Sequence, residues 1–386
     1  MEQEQKDILK NEREKIDGID SQIISLFEER MRTAAKIAGY KKQNGKAVFD
    51  PIRERQKMTD IIKRSSDEML PYSPILFSTL FELSRAYQNR LIGEKSDLNE
   101  EIQNAIENTP KVFPEFASVA CQGIEGSNSQ AACNRLFKNA DIMFFKNFDA
   151  VFTAIEKGLC KYGVIPIENS TAGSVNAVYD LMMDHKFYIV RSIRVKVDHH
   201  LLAKKGAKLS DIKEIYSHEQ AISQCSHFLS KHPEIKVISC SNTAVASKIV
   251  MESDRNDIAA LSSRECMKYY GLDCIESSVQ NSDGNYTRFI CIAKDLEIYP
   301  GADRTSLMIT LPHEPGTLYR ILSKFNALSV NLNKLESRPL PKGEFEFMFY
   351  FDIETPVYSD KFVQLISELP SSCERFMYLG SYSEVI

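Results

Sequence analysis

Residues 7–43 have the sequence DILKNEREKIDGIDSQIISLFEERMRTAAKIAGYKKQ. Apolar side chains recur along one helical face of this segment, at Leu9, Ile16, Ile19, Ile23, Leu26 and Ile37. The pattern predicts one long α-helix, which Asn44-Gly45 ends. A helix of this length is typical of a helical bundle or of two interlocked chains, because its apolar face needs a long partner.

The sequence that follows predicts two more helices. The second begins at Asp50-Pro51, with Asp50 as the N-cap, and the third follows Pro74 and ends near Gly93. Residues 1–93 are therefore predicted to form an all-α domain. The polar, proline-containing residues 94–114 are predicted to be a linker that contains a short helix.

Residues 115–299 alternate short β-rich runs with helix-like stretches, which is typical of an α/β fold. Strands are predicted at residues 118–121, 142–145, 163–167, 188–197, 214–216, 236–239, 258–261 and 288–293. Residues 300–386 predict a smaller α+β domain. Its strands are expected at 306–311, 330–335 and 345–351, with a turn at 339–343 and a helix around Leu318 to Phe325.

Composition excludes several classes of protein. The 386 residues are enough for several domains, and 43% of them are hydrophobic, as in ordinary globular proteins. The amino terminus lacks a signal-peptide pattern, so a cytoplasmic location is expected. The net charge of −5 gives no basic field for nucleic acid, and the nine cysteines and seven histidines form no ligand motif. We therefore expect no metal, no cofactor and no membrane partner.

Charged residues interrupt the apolar face of the first helix. Arg30 occupies a position of the apolar repeat, where it needs an anionic partner unless its side chain extends to solvent. Lys41 lies 11 residues further, about 16 Å along the same face, so both cations can contact one small dianion. Arg13 is 28 residues from Lys41, about 42 Å, and is expected to serve a site of a partner chain.

Further polar residues lie on the second and third helices. Arg53 and Glu54 lie in the first turn of the second helix, and Ser84 and Gln88 form an i, i+4 pair on the third. Singly, each is as ordinary as any surface residue. Together, eight residues match in order and spacing the active-site set of the all-helical chorismate mutases: Arg13, Arg30, Lys41, Asp50, Arg53, Glu54, Ser84 and Gln88.

The resemblance covers residues 7–92 and implies two interlocked chains that share each site through an Arg. It implies that arginines bind the carboxylates of chorismate. Lys41 and Gln88 would donate hydrogen bonds to the ether oxygen, where negative charge grows during the Claisen rearrangement. Asp50, Arg53, Glu54 and Ser84 would contact the substrate.

In the middle block, small hydroxyl and amide residues follow several predicted strands, as at Ser127-Asn128-Ser129 and Ser241-Asn242-Thr243. Helix capping alone explains any one of them, whereas several at one sheet edge would line an anion site. The spacing of Gly123 and Gly126 does not fit a dinucleotide-binding loop. The segments Tyr162–Ser170, Ser217–Ala221 and Asn285–Phe289 resemble the consecutive motifs of prephenate dehydratases, over residues 115–295.

That resemblance implies two α/β lobes, similar to those of periplasmic solute-binding proteins, with prephenate between them. Thr287 would assist departure of the ring hydroxyl as carbon dioxide leaves, polarised by Arg288 or by a helix N-terminus. The implied pocket residues are Ser129, Glu168, Asn169, Ser170, Gln220 and Arg288.

The tail resembles the ACT regulatory domain, a ferredoxin-like α+β fold, at residues 311–319 and at Glu336-Ser337-Arg338-Pro339. The resemblance implies an amino-acid effector, L-phenylalanine, bound by Gly316, Thr317, Leu318, Glu336, Ser337 and Arg338. A plain dimerisation module is the alternative. On this interpretation, removal of residues 301–386 leaves a dehydratase that is insensitive to phenylalanine.

Together the three resemblances predict a bifunctional enzyme of phenylalanine biosynthesis, an isomerase and a carbon–oxygen lyase, that works as a homodimer or as paired dimers. Two alternatives stay open at this point: a non-enzymatic sensor of an organic acid, and a mutase whose dehydratase part has decayed. Supplying chorismate and assaying for phenylpyruvate, prephenate or no product separates the three.

Overall fold

The computed structural model describes residues 2–92, 97–340 and 346–385. Gly93, residues 94–96 of the expected linker, residues 341–343 of the expected turn and Phe345 lie outside this description. The chain divides into two compact units. One contains residues 1–99 with 366–371, and the other contains residues 100–365 with 372–386.

Three helices make up most of the first unit: α1 (Glu2–Gln43), α2 (Pro51–Arg64) and α3 (Ser73–Ile92). Gly45 ends α1 with a φ of +59°, a conformation that glycine adopts without strain. The Asp50 carboxylate caps α2 by accepting a hydrogen bond from the Arg53 backbone N–H at 3.0 Å. The three predicted helices are therefore confirmed. A further helix, α4 (Asp97–Asn108), lies in the expected linker.

The apolar face of α1 is covered only towards its carboxyl end. Ala34 and Ala38 are buried, whereas Leu9, Ile16 and Ile23 are 52%, 56% and 56% exposed. A single chain therefore leaves the amino-terminal part of this face open to solvent, where apolar surface is unfavourable.

The second unit begins with an α/β lobe built on a seven-stranded sheet, in the order β16-β5-β11-β3-β1-β2 with β4 beside β3. These strands are β1 (Phe116–Gln122), β2 (Asn139–Phe145), β3 (Tyr162–Asn169), β4 (Gly173–Ser174), β5 (Tyr188–Lys196), β11 (Tyr286–Ala293) and β16 (Glu384–Val385). Its helices are α5 (Asn128–Leu136), α6 (Phe148–Glu156) and α7 (Asn176–Asp184). Strands β1, β2 and β3 run parallel, and β11 is antiparallel to β3 and β5.

A second α/β lobe is inserted between β5 and β11, with strand order β10-β6-β9-β7-β8. Its strands are β6 (His200–Ala203), β7 (Glu214–Ser217), β8 (Lys236–Ser239), β9 (Ile258–Ser262) and β10 (Asp273–Glu276). Its helices are α8 (Glu219–Gln224), α9 (Ser226–Leu229), α10 (Thr243–Glu252) and α11 (Arg264–Tyr270). The predicted two-lobed α/β fold is confirmed. The short strands β4, β6, β10 and β16 were not predicted from the sequence.

The tail forms a four-stranded antiparallel sheet in the order β13-β14-β12-β15. Its elements are β12 (Arg304–Thr310), α12 (Thr317–Ala327), β13 (Asn331–Pro339), β14 (Phe347–Glu354), α13 (Asp360–Glu368) and β15 (Arg375–Tyr382). This βαββαβ order is that of a ferredoxin-like fold and confirms the predicted α+β tail.

The tail and the first lobe share one hydrophobic core. Met308, Tyr350 and Tyr382 of the tail belong to the same buried cluster as Tyr179 and Ile290 of the lobe. After β15 the chain returns to the lobe, where β16 pairs in parallel with β5. Across the described residues, no helix has the length and apolar character needed to cross a membrane.

Candidate active sites

A cavity of about 1040 Å³ lies among the helices of the first unit. Seven of the eight residues predicted for the mutase line it: Arg30, Lys41, Asp50, Arg53, Glu54, Ser84 and Gln88. They come from α1, α2, α3 and the N-cap of α2, so packing of the three helices brings them together. The cavity has room for a small organic dianion, and most of its charged groups are cationic.

Two cations on α1 are held at the cavity by backbone carbonyls. The Arg30 guanidinium donates to the carbonyl of Leu80 at 3.0 Å and lies 5.8 Å from the centre of the Phe81 ring. Burial lowers the pKa of Arg30, while the nearby Glu54 carboxylate opposes that shift. The Lys41 ammonium donates to the Val48 carbonyl. Both groups keep further donors for a substrate, because one bond does not use all their N–H groups.

Glu54 has a partner that sequence analysis did not find. Its carboxylate forms an ion pair with Arg85 of α3, which also lines the cavity. The Arg85 guanidinium lies 5.2 Å from the centre of the Phe49 ring. Residues 54 and 85 lie on different helices, so no helical spacing relates them in the sequence.

The Gln88 side chain is buried in the cavity wall, with 7% exposure. Its amide nitrogen donates to the Ser84 carbonyl at 3.2 Å, and its buried amide oxygen has no hydrogen-bond partner. The second N–H of the amide is available to a ligand. A buried amide with unused hydrogen-bonding capacity is costly unless a ligand or water satisfies it.

Arg13 is the one predicted mutase residue that does not line the cavity. It lies on the exposed part of α1, 17 residues before Arg30, which corresponds to about 26 Å along a continuous helix. The continuous helix thus keeps Arg13 apart from the other seven residues of its own chain.

In the second unit, Thr287 and Asn169 are direct partners in the register of β11 and β3. The Asn169 amide nitrogen donates to the Thr287 hydroxyl oxygen at 2.9 Å. The Asn169 amide oxygen accepts from the backbone N–H of Thr171 at 3.1 Å and of Ala172 at 2.9 Å. These bonds fix the orientation of the amide, so the Thr287 hydroxyl accepts from Asn169 and can direct its own proton to a ligand.

A second layer of polar residues holds Asn169. Its amide nitrogen also donates to the Asn285 side chain at 2.7 Å, and Asn285 donates to Gln224 at 3.0 Å. Gln224 in turn bonds Thr171 at 2.7 Å and lies 3.0 Å from the His199 ring nitrogen. Gln224 and His199 belong to the second lobe and to the segment that enters it. Sequence analysis missed this layer because its members lie far apart in the chain.

The other predicted dehydratase residues have different surroundings. The Ser170 hydroxyl donates to the Gly284 carbonyl at 2.8 Å and accepts from the Tyr286 N–H at 2.9 Å. Ser129 is buried in the first turn of α5, and Gln220 is exposed in α8. The capping interpretation holds at three strand ends, where side chains accept from backbone N–H groups: Ser127, Asn242 and Ser263.

Glu168 and Arg288 also face each other across β3 and β11, one residue along from Asn169 and Thr287. Successive strand residues point to opposite faces, so these two lie on the face that the tail covers. The Arg288 guanidinium is 3.3 Å from Glu168, donates to the Tyr382 hydroxyl at 3.0 Å and pairs with the buried Asp352. The donor to Thr287 in this structure is therefore Asn169.

The predicted effector residues lie on α12 and β13. Gly316 has a φ of +85° at the start of α12, the Thr317 hydroxyl donates to the carbonyls of Pro312 and Glu314, and Leu318 is partly buried. On β13 the side chains alternate. Glu336 accepts from Ser174 at 2.5 Å and Arg338 binds both oxygens of Asp180 at 2.9 Å, whereas Ser337 is exposed.

A cation-lined cavity in one unit and a hydroxyl–amide pair in the other give the chain two candidate active sites, as expected of an enzyme with two activities. A family model for chorismate mutase type II matches residues 12–89, and a model for prephenate dehydratase matches residues 119–297. The bifunctional chorismate mutase/prephenate dehydratase of Escherichia coli (strain K12) is 30% identical over 378 residues, 96% of this chain and 95% of the relative. The Buchnera aphidicola enzyme of that name is 31% identical over 381 residues, again 96% and 95%.

The chain therefore belongs to the family of bifunctional chorismate mutase/prephenate dehydratases. It is an enzyme of phenylalanine biosynthesis with both activities, and chorismate and prephenate are its substrates. Among solved structures, the prephenate dehydratase of Arthrobacter aurescens in complex with L-Phe superposes with a TM-score of 0.64 at 26% identity. The match covers 69% of this chain and 90% of that one.

Proposed function

We propose that chorismate binds in the cavity of the helical unit and rearranges there without covalent catalysis. The observation that carries this assignment is the presence of seven predicted residues around one cavity. Arg30, Arg53 and a partner chain's Arg13 bind the two carboxylates and hold the substrate compact. Lys41 and Gln88 donate to the ether oxygen as its bond to the ring breaks and the new carbon–carbon bond forms.

We propose that prephenate is dehydrated at the Thr287–Asn169 pair. The carboxylate bond to the ring breaks, its electron pair enters the ring, and the ring hydroxyl leaves with a proton as water. The products are phenylpyruvate, carbon dioxide and water, with one proton consumed. The 2.9 Å bond from Asn169 supports this role, because it directs the Thr287 proton towards the leaving oxygen. Ser129, Ser170 and Gln220 remain predicted pocket residues, whereas Glu168 and Arg288 lie on the opposite face of the sheet.

A single time course with chorismate tests both assignments. The wild-type chain should form phenylpyruvate, Gln88→Ala should convert chorismate roughly 10²-fold more slowly, and Thr287→Ala should accumulate prephenate. Phenylpyruvate from Thr287→Ala at the wild-type rate would remove Thr287 from the mechanism. Unchanged turnover of chorismate by Gln88→Ala would do the same for Gln88.

We also propose a homodimer in which each cavity receives Arg13 from the other chain. The exposed apolar face of α1 and the distance of Arg13 from its own cavity support this arrangement. Mixing Arg13→Ala chains with Gln88→Ala chains tests it, because one site of each mixed dimer regains a complete residue set. Mutase activity should return to about a quarter of the wild-type value in an equal mixture with random pairing. Two inactive chains that stay inactive after verified exchange would contradict a shared site.

The tail is proposed to bind L-phenylalanine and to inhibit the dehydratase, through Gly316, Thr317, Leu318, Glu336, Ser337 and Arg338. The L-Phe complex of the Arthrobacter aurescens enzyme supports the choice of effector. Removing residues 301–386 is not a clean test, since β16 and five buried tail residues of the core shared with the first lobe would be lost with them. Calorimetry with the intact chain is the direct measurement, and no binding at millimolar phenylalanine would contradict the proposal.

The boundaries of the three domains remain proposals. They are residues 1–93 for the mutase domain, 115–299 for the dehydratase domain and 300–386 for the regulatory domain. A cytoplasmic location likewise remains a prediction from the amino-terminal sequence.

A further inference from the structure

Lys334 of the tail contacts the dehydratase strand pair directly. Its ammonium donates to the Glu168 carboxylate at 2.8 Å and to the Ser174 hydroxyl at 2.9 Å. Its side chain is only 15% exposed. A partly buried, charge-assisted bond of this kind is stronger than an exposed ion pair, because less water screens it.

The contact of Lys334 with Glu168 lies on the face of the sheet opposite the proposed catalytic pair, Thr287 and Asn169. In the register of β3 and β11, Glu168 faces Arg288 and the next residues, Asn169 and Thr287, face each other. Ser174 on β4 is the partner of Glu168 on its other side. Lys334 therefore binds the neighbouring strands β3 and β4 close to Asn169, the last residue of β3.

The same contacts reach the predicted effector motif. Ser174 donates to Glu336 at 2.5 Å, and the Lys334 ammonium is 3.8 Å from that carboxylate. Glu336 and Lys334 lie two residues apart on β13 and point to the same face. A ligand ammonium group that binds Glu336 would compete with Ser174 and Lys334 for the same carboxylate.

We propose that Lys334 is a positioning residue of the dehydratase, which holds Glu168 and thereby the strands that carry Asn169 and Thr287, and which links them to Glu336. The link to Glu336 rests on the proposed regulatory function, whereas the positioning role does not. Lys334 acts through Glu168, so it needs no contact with prephenate.

The charged groups around Glu168 give this role a measurable signature. Lys334 and Glu336 face it from β13, Arg288 from β11, Asp352 from β14 and Tyr179 from α7. Burial acts to raise the pKa of Glu168, and Lys334 and Arg288 outweigh burial and lower it. Without Lys334 the pKa should rise, so protonation of Glu168 would begin at higher pH.

The test is the pH profile of dehydratase kcat/KM in the full chain. Lys334→Met should lower kcat/KM by about 10-fold or more and move the acid limb to higher pH. Lys334→Arg should restore the limb and most of the activity. Asp180→Asn removes the ion pair of the lobe with Arg338 of β13, whose side chains are 46% and 21% exposed, and should leave basal activity within about twofold.

Thermal unfolding reports whether each variant is folded, mutase activity checks the helical unit of the same sample, and Lys334→Gln replaces Lys334→Met if the latter does not fold. An unmoved acid limb in a folded Lys334→Met or Lys334→Gln variant would overturn the positioning role. So would an equal loss of activity in Asp180→Asn, because that result would indicate only a loosened tail.

The link to Glu336 has a separate test. In Ser174→Ala, calorimetric binding of phenylalanine should persist, while its inhibition of the dehydratase should weaken. Inhibition equal to wild type would overturn the link. If the wild-type chain binds no phenylalanine, the regulatory proposal and the link both fail, and the acid-limb measurement still decides the positioning role.

Discussion

The candidate site in the first, helical unit and the candidate site in the second unit consist of different kinds of side chain. Around the helical cavity, long charged side chains reach inwards from three helices, and one predicted residue, Arg13, is left about 26 Å away on the same helix. On the sheet, the proposed catalytic groups are short and neutral, and neighbouring strands place Thr287 and Asn169 within 2.9 Å. The charges near them, Glu168 and Arg288, lie on the other face.

The difference matches the two reactions. A rearrangement that only redistributes charge needs donors and cations, and helices can supply these over a wide cavity. Loss of a hydroxyl needs one proton delivered at one atom, and the hydrogen-bonded register of adjacent strands can hold such a donor in place. Substitutions should therefore damage the two sites in different ways.

The largest effect is expected at Thr287. Thr287→Ala should reduce dehydratase turnover by roughly 10²- to 10³-fold, because the leaving oxygen loses its donor. Thr287→Ser keeps the hydroxyl and should retain most of the activity. Steady-state assays with prephenate measure both, and mutase assays on the same samples should be unchanged. A serine variant as inactive as the alanine variant would argue that the methyl group, and not the hydroxyl, is needed.

The second largest effect is expected at Gln88. Gln88→Ala should lower mutase kcat by roughly 10²-fold, since it removes one donor to the ether oxygen from a buried position. Chorismate disappearance at saturating substrate is the measurement. A change confined to KM would show that Gln88 binds the ground state and transition state equally.

A smaller effect is expected in the polar layer behind Asn169. Gln224→Ala removes the bonds to Asn285 and Thr171 but leaves the Asn169–Thr287 bond. Dehydratase kcat should fall by about 10-fold, because one neutral hydrogen-bond partner of the network is lost. Asn281, which bonds Ser226 in the same lobe, offers a matched control in Asn281→Ala. Equal effects of the two substitutions would mean that only lobe stability is affected.

The smallest effect concerns stability and pH. Burial lowers the pKa of His199 and of His200 in the folded chain, so both are preferentially neutral there. The unfolded chain takes up these protons as pH falls through about 6.5, so the folded state loses stability below that pH and keeps it above. Denaturant unfolding between about pH 7.5 and 5.5 should show this slope, and His199→Gln should reduce it. A slope that is unchanged in His199→Gln would remove His199 as its source.

The local sequence pattern was enough to predict most of the helices and strands. The apolar period of α1, the Asp50-Pro51 cap and the β-rich runs of the middle block each predicted an element that the structure contains. Strands of two to four residues, such as β4 and β6, were missed because so short a run carries little periodic signal. The residue roles stay predictions, although the geometry groups most mutase residues around one cavity.

The sequence by itself determined the three helices of the first unit, the fold classes and the order of motifs, because these depend on spacing along the chain and on local backbone preference. Only the tertiary structure decided which side chains meet. It paired Arg85 with Glu54, Gln224 with Asn285, and Lys334 with Glu168, over separations of 31, 61 and 166 residues. No periodicity relates such positions, since their contact depends on how whole helices and strands pack.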